Sequence, residues 1–481
     1  MVISDYNLDP RRWAEIHFGD LNLGNVSRNE RAIQIGQMMA AKPGQSLPQL
    51  FARRYDLKQT YKLFANLEAS PDDLQATHRE LVMEALGQPG TYLMPEDTTE
   101  VAWTKRKGKQ IPGLGLVGGS KEKKVGFLLH TTLALRWPGT DQLPEDARRP
   151  PVELLGIADQ QSYVRKRRPA DEKRSERLQR DRESELWEQA TYRLGDKPPD
   201  KSVRWVRVCD RGGDIYEALI SFDECGHGYV VRAAQDRALL DEEGRSCGTL
   251  FEFARSQASL DSFELELRGR EGKSGRTVRL QVSAARVCIR APYRPGQALG
   301  KLPPVHCTVV RVWEEHPPEG EEGLEWILLC DGDRTTFELA REGVVQYSTR
   351  WLCEEFHKGL KTGQQVESLQ LETGEALMAA TAVKSVAALR LLDLRERGRQ
   401  EPDAPAERSG LNEVELEVLA LKTGRKIETV RDAVLALGKL GGHLNRKSDG
   451  MPGWITLWRG WLELQPMVEG FLLAHKRKKS G

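Results

Sequence analysis

Asp97, Asp210 and Glu354 are the side chains whose types and surroundings point to chemistry. Asp97 follows the apolar run Tyr92, Leu93 and Met94, and Asp210 follows Val206, Val208 and Cys209. Each run reads as a strand giving out into a polar turn, where a sheet presents side chains to an exposed crevice. An Asp after a strand is also an ordinary turn or helix cap, so neither position speaks alone. Glu354 sits among Tyr347, Arg350, His357 and Lys361, which share one face if the segment is a helix of roughly 100° per residue. Cys353, Phe356 and Leu360 fall on the adjoining face and can bury it. The plainest account of the charged face is a surface helix with an Arg350–Glu354 ion pair, worth a few tenths of a kcal/mol. The chemical account is a clamp in which three carboxylates hold two Mg²⁺ ions, or Mn²⁺ as substitute. Such a pair serves in-line phosphoryl transfer, with Arg350 and Lys361 neutralising phosphates.

Several elements must position these groups. Residues 1–85 read as short helices, with Ser27 and Glu30 at capping-box spacing before Ile33, Ile35, Met38 and Met39. If Asp56 to Asn66 is helical, Arg54, Lys58 and Lys62 form one cationic stripe while Leu57, Tyr61 and Phe64 pack inward. Strands are expected from about residue 90, at Val125 to Leu135, and at Trp205 to Cys209, the last followed by a helix through Ile215 to Ile220. Alternating β-branched runs make residues 228–335 a strand-rich block, readable as an insertion. Helix resumes from about 337 to 396, and Glu396 to Gly410, with its prolines and charges, reads as a linker. Trp454, Trp458 and Trp461 recur at helical spacing, as a core stripe or an oligomer contact. The whole is an α/β chain, and 481 residues leave room for about three domains.

Bulk composition excludes several classes. Lys plus Arg number 72 against 71 for Asp plus Glu, so a nucleic-acid surface must be local, as at Lys105 to Lys109, Lys121 to Lys124, Arg165 to Arg168 and Lys476 to Lys479. Seven scattered cysteines without a Cys-x-x-Cys pair fit a reducing compartment, and Cys225 with His227 lacks a second ligand pair for zinc. No secretory signal and no apolar run of about 18 residues is present, so the expectation is a cytoplasmic protein without a membrane partner.

Ordered motifs make the chain similar to the DDE transposases of the insertion-sequence-four family. Asp97-Thr98-Thr99 resembles the first-acid motif, and Val208-Cys209-Asp210-Arg211 with Asp214 resembles the second. Tyr347-x2-Arg350-x3-Glu354-x6-Lys361 has the spacing of the family's Tyr-Arg-Glu-Lys signature, and Gly441-Gly442 through Trp461 resembles its C-terminal segment. The resemblance spans essentially the whole chain.

It implies a ribonuclease-H-like mixed-sheet catalytic core at 86–369 carrying the insertion at about 228–335. An N-terminal helical end-recognition domain at 1–85 and a C-terminal helical dimerisation region at 370–481 would flank it. It further implies Asp97, Asp210 and Glu354 as the catalytic metal ligands, and cut-and-paste transposition by nicking, hairpin formation, hairpin opening and strand transfer. The partners are then transposon-end and target DNA, engaged by a homodimer, with no small-molecule substrate. Tyr347, Arg350, His357, Lys361 and Arg211 become DNA contacts, with Arg53, Arg54, Lys58 and Lys62 as phosphate contacts on the N-terminal helices. Trp326 matches the position that stacks a displaced base. Where the family's second motif has Glu-Ala, this chain has Gly212-Gly213, which suggests a more mobile turn. A cleavage-only nuclease on the same core and a catalytically silent DNA-binding regulator are the competing accounts. Stacking on Trp326 contributes on the order of 1–3 kcal/mol, so Trp326→Ala should lower hairpin yield in a gel assay while sparing the first nick; unchanged yield rejects the stacking role.

Overall fold

The computed structural model describes residues 9–66, 68–104, 111–118, 124–139, 152–166, 182–267, 275–292, 302–446 and 449–479. The basic clusters at 105–109, 121–123 and 167–168 lie outside them, as do the side chains of 476–479.

The chain opens with α1 (Pro10–Phe18), α2 (Val26–Ala41), α3 (Leu47–Leu50), α4 (Arg54–Phe64) and α5 (Pro71–Leu86). Asp9 caps α1, and Ser70 with Asp73 forms a capping box on α5. The cap of α2 is Asn25, whose side chain accepts from the Arg28 amide at 2.9 Å, so a single cap two residues earlier stands in place of the box expected at Ser27. Asn25 takes the extended backbone a cap requires, which leaves Ser27 inside the first turn.

Next come β1 (Gly90–Thr104), β2 (Gly115–Val117), β3 (Lys124–Trp137), β4 (Glu153–Tyr163), α6 (Leu186–Leu194), β5 (Val203–Cys209), α7 (Tyr216–Glu224) and β6 (Gly228–Arg232). β1 pairs antiparallel with β3 and parallel with β5, and β5 pairs parallel with β6. β4 and β2 share the outer edge of β3. The strand-rich block then supplies β7 (Ala238–Leu240), β8 (Ser246–Thr249), α8 (Leu250–Ser256), β9 (Asp261–Leu267), β10 (Arg276–Ile289), β11 (Val305–Glu314) and β12 (Glu325–Cys330). β12 joins β6 antiparallel, so the block extends the same sheet, which runs to 12 strands among the described residues. Because β6 belongs to the parallel part, the added block begins after Arg232.

α9 (Phe337–Ser348), α10 (Trp351–Lys358) and a π turn (Gly359–Gly363) lead to α11 (Gly374–Gln400), α12 (Glu413–Thr423), α13 (Val430–Leu440) and α14 (Trp454–Lys479). α11 is buried along nearly its whole length, the pattern of a helix surrounded by protein. One apolar core runs from Trp13, Phe18 and Phe64 through Leu93, Phe127 and Val208 of the sheet to Phe356, Leu377 and Trp461. On the opposite sheet face, Trp187, Leu219 and Phe222 of α6 and α7 pack on Cys209, Tyr229 and Val231.

The linker expected at 396–410 is instead folded. α11 continues to Gln400, Glu396 and Ser409 are buried, and Pro405 bridges Thr429. Charge density misleads there because the charges pair within the fold, Arg397 with Asp393 at 2.6 Å and Arg395 with Glu396 at 3.2 Å. Trp454 and Trp461 are core, with Trp458 half-buried beside them. α13 and α14 cross closely at Gly441 and Gly460, where an added Cβ on Gly460 would stand 1.9 Å from the Leu437 carbonyl oxygen. Backbone cannot yield as a side chain can, so Gly460→Ala should destabilise the fold by about 3 kcal/mol, measurable as a lowered urea midpoint with unchanged slope; an unchanged midpoint contradicts the close crossing.

Candidate active site

Register places the two aspartates side by side. The parallel ladder of β1 with β5 ends at Glu96 opposite Cys209, and Asp97 and Asp210 are the next residue on each strand. β1 itself does not end there, contrary to the sequence expectation: it runs on to Thr104 because β3 keeps pairing with it, Asp97 opposite Thr131. Asp97 therefore sits at the lip of the parallel pair but inside a continuous strand, which holds it more rigidly than a turn would. Its Oδ1 accepts from the Thr98 amide at 2.8 Å. Asp210 accepts from the Gly212 amide at 2.8 Å and caps the short turn that follows β5.

The segment carrying Glu354 is not one uniform helix. α9 ends at Ser348, α10 starts at Trp351, and the π turn at 359–363 breaks the 3.6-residue spacing before Lys361. Cys353, Phe356 and Leu360 are fully buried, as their face requires. Arg350 donates to Glu354 Oε1, and its other terminal nitrogen lies 3.8 Å from Asp97 Oδ2. A guanidinium thus stands between two of the three acids. Burial raises the Asp97 carboxyl from its usual 3.8 to about 6, with further upward pressure from Asp210 and Glu354, against the opposing pull of Arg350. The three acids therefore share one electrostatic environment. Among the described residues, no three His, Cys, Asp or Glu side chains stand close enough to form a ready-made metal cage.

Glu96 escaped sequence reasoning. It points to the other face of β1, fully buried, where Arg207 Nε donates to Oε1 at 2.6 Å and Arg207 Nη2 lies 2.5 Å from Oε2. His130 Nε2 is 3.3 Å away and the Cys209 thiol donates at 3.3 Å. Although burial alone would raise it, the Arg207 charge and these hydrogen bonds hold the Glu96 carboxyl down at about 2. The usable signal was charged residues at inward positions of two otherwise apolar strands.

The turn after Asp210 is packed, not loosened by its glycines. A Cβ on Gly213 would stand 2.5 Å from Cys209 Cβ and 2.9 Å from Trp187 Nε1, and one on Gly212 would meet the same indole at 3.0 Å. The two glycines admit the Trp187 ring against the turn. Asp214 serves the fold, pairing with Arg237 and accepting from the amides of Ala234 and Gln235 at 2.6 and 2.8 Å, which fastens the start of the added block.

Other candidates divide. Tyr347 is buried with its ring centroid 6.1 Å from that of half-buried Trp326. Lys361 is half-buried, near enough to Glu100 to help lower its carboxyl. Arg211 is exposed beside Asp210. His357 is not a DNA contact: it is 4% exposed, its Nε2 lies 3.1 Å from Thr131 Oγ1, and burial foremost, with the Lys361 charge, drives its pKa down to about 3. A buried neutral ring cannot neutralise phosphate.

Arg53, Arg54, Lys58 and Lys62 are all exposed or half-exposed, while Phe64 is buried and Leu57 and Tyr61 pack partly against the core. Lys62 also lines a cleft of about 480 Å³ between α2 and α4 with Arg28, Arg31, Tyr55 and Gln59. Residues 10–69, which hold this cleft and stripe, match the model of the transposase DNA-binding family. The match points to a transposase and to DNA as a partner. No helix among the described residues is long and apolar enough to cross a membrane.

A carboxyl that titrates higher in the folded chain than in the unfolded one favours the protonated form, so Asp97 subtracts stability as pH rises from about 4 through about 6. The difference corresponds to about 3 kcal/mol at most. Asp97→Asn should therefore be more stable than wild type by about 1–3 kcal/mol at pH 7.5, the gain fading as pH falls from about 6 and gone below about 4. Urea unfolding across that range checks it, and a gain independent of pH contradicts the coupling.

Proposed function

We propose that this chain is a cut-and-paste DNA transposase of the DDE type. The observation that carries the proposal is the electrostatic coupling of Asp97, Asp210 and Glu354 at the lip of the β1–β5 pair, in a chain whose residues 10–69 match a transposase DNA-binding family. The strand pattern supports a ribonuclease-H-like core: β4, β3 and β1 antiparallel, then β5 and β6 parallel to β1.

Three carboxylates are the donors that Mg²⁺ and Mn²⁺ prefer, and a half-buried carboxyl such as Asp97, pushed upward by burial and by the neighbouring acids, gains from a cation beside it. Arg350 holds that position, bonded to Glu354, and would have to give up that bond for the glutamate to reach a cation. Asp97, Asp210 and Glu354 would hold the ions. When bound, two such ions activate the attacking oxygen and stabilise the leaving oxygen of an in-line displacement. Arg350, Lys361 and Arg211 neutralise the phosphates beside the acids. Tyr347 backs Trp326, whose exposed part receives a displaced base when the strand bends into a hairpin. Arg53, Arg54, Lys58 and Lys62 track the phosphates of the transposon end. Pairing of two ends calls for a dimer, for which exposed Leu421, Leu472 and Leu473 of the C-terminal helices offer apolar surface.

The test uses full-length protein, duplexes carrying the inverted repeats that flank the coding region, and Mg²⁺. Wild type should nick and join them, and Asp210→Asn or Glu354→Gln should lower nicking on the order of a hundredfold or more with end binding retained. Binding without cleavage by wild type identifies a silent regulator; cleavage without joining identifies a nuclease.

A further inference from the structure

His357 lies one turn beyond Glu354 and faces a buried polar chain that no DNA contact explains. Thr131 Oγ1, 3.1 Å from His357 Nε2, accepts from Gln160 Nε2 at 3.0 Å. Gln160 Oε1 accepts from Gln75 Nε2 at 2.9 Å, and Gln75 Nε2 also donates to the Ala382 carbonyl at 3.0 Å. None of Gln75, Gln160, Thr131 and His357 is more than 6% exposed. The four residues come from α5, β4, β3 and α10.

The Ala382 carbonyl can only accept, which sets the direction of the bonds as far as Thr131. Gln75 must present its NH2 there, and the same group serves Gln160 Oε1. Gln160 then turns its own NH2 to Thr131. With that hydrogen accepted, the Thr131 hydroxyl keeps its own to give, and we infer that His357 Nε2 receives it, which puts the ring proton of His357 on Nδ1. A buried chain satisfied at each link admits one arrangement of its members.

That arrangement bears on the acids. Thr131 is the cross-strand partner of Asp97, and its backbone carbonyl accepts from the Cys353 thiol at 3.4 Å. α10 is thus fastened twice, on either side of Glu354, to the residue opposite Asp97. On its far side Glu355 accepts from Trp351 Nε1 at 2.9 Å and from Trp454 Nε1, and lies 2.6 Å from Arg395, tying α10 to α11 and α14. We propose that Gln75, Gln160, Thr131 and His357 are positioning residues that hold Glu354 against Asp97 and connect that geometry to the helix following the DNA-binding segment. The proposal rests on the metal-holding role given to the three acids above. α5 starts at Pro71, directly after the matched residues 10–69, so the chain runs from the helix that follows the DNA-binding segment to the helix that carries Glu354.

The test measures Mn²⁺ binding by electron paramagnetic resonance on the full chain with end DNA, for wild type, Thr131→Val and Thr131→Ser. Thr131→Val should weaken Mn²⁺ binding about tenfold, Thr131→Ser should restore it, and affinity for end DNA should stay unchanged in both. Nitrogen-15 spectra of histidine-labelled wild type should show His357 protonated on Nδ1 at neutral pH, a result that does not depend on any variant folding. Protonation on Nε2, or Mn²⁺ binding indifferent to Thr131→Val, overturns the positioning role alone. A wild-type chain that takes up no Mn²⁺ overturns the metal-holding role and this proposal with it.

Discussion

Gathering like charges at one end of a sheet is the constraint that the rest of the molecule answers. Asp97, Asp210 and Glu354 repel one another in a half-buried place, and the Asp97 carboxyl is raised first by that burial and then by the charges of Asp210 and Glu354. What keeps the strands together there is the hydrogen-bonded ladder of β1 with β5 and, at its end, the Glu96–Arg207 pair on the opposite face. Removing one partner of such a pair costs about 3–5 kcal/mol, because the other is left charged in the core. A compensated charge pair thus lies behind a cluster of three acids that one guanidinium, Arg350, only partly balances, on adjacent residues of one strand.

The supporting elements share one core. Trp13, Phe18 and Phe64 of the N-terminal helices, the sheet face carrying Val208, and α11 all contribute to a continuous apolar cluster. Displacing any of them exposes apolar surface at about 25 cal/mol per Å², so the N-terminal helices and the sheet that carries the acids are linked through packing, and α5 is joined to β4 through Gln75 and Gln160. The block after β6 extends the same sheet through β12 and brings Trp326 beside Tyr347, three residues before Arg350.

Much of this was legible in the residues. Apolar runs marked β1, β3 and β5, the stripe of Arg54, Lys58 and Lys62 did form the outer side of a helix, and Cys353, Phe356 and Leu360 did bury the helix that presents Glu354. Local patterns failed where a distant partner decided the outcome. Glu396 and Arg397 read as solvated linker although their partners Arg395 and Asp393 are near in sequence, because the core that α11 crosses is invisible in a local window. Gly212 and Gly213 read as loose because the Trp187 ring that fills their space comes from another helix.

Residue type and spacing alone determined which groups are acids, which helix face carries Glu354 with Arg350, and which strands are apolar enough to be interior, since these depend on period and transfer free energy. The tertiary structure alone decided that Asp97 lies within a continuous strand, that His357 turns inward to Thr131, and that Glu96 is locked to Arg207. Each of those depends on strand register and on contacts between residues far apart in the chain. A hydrogen bond or ion pair forms only when folding has already set both partners within about 3 Å, and no local pattern records that distance.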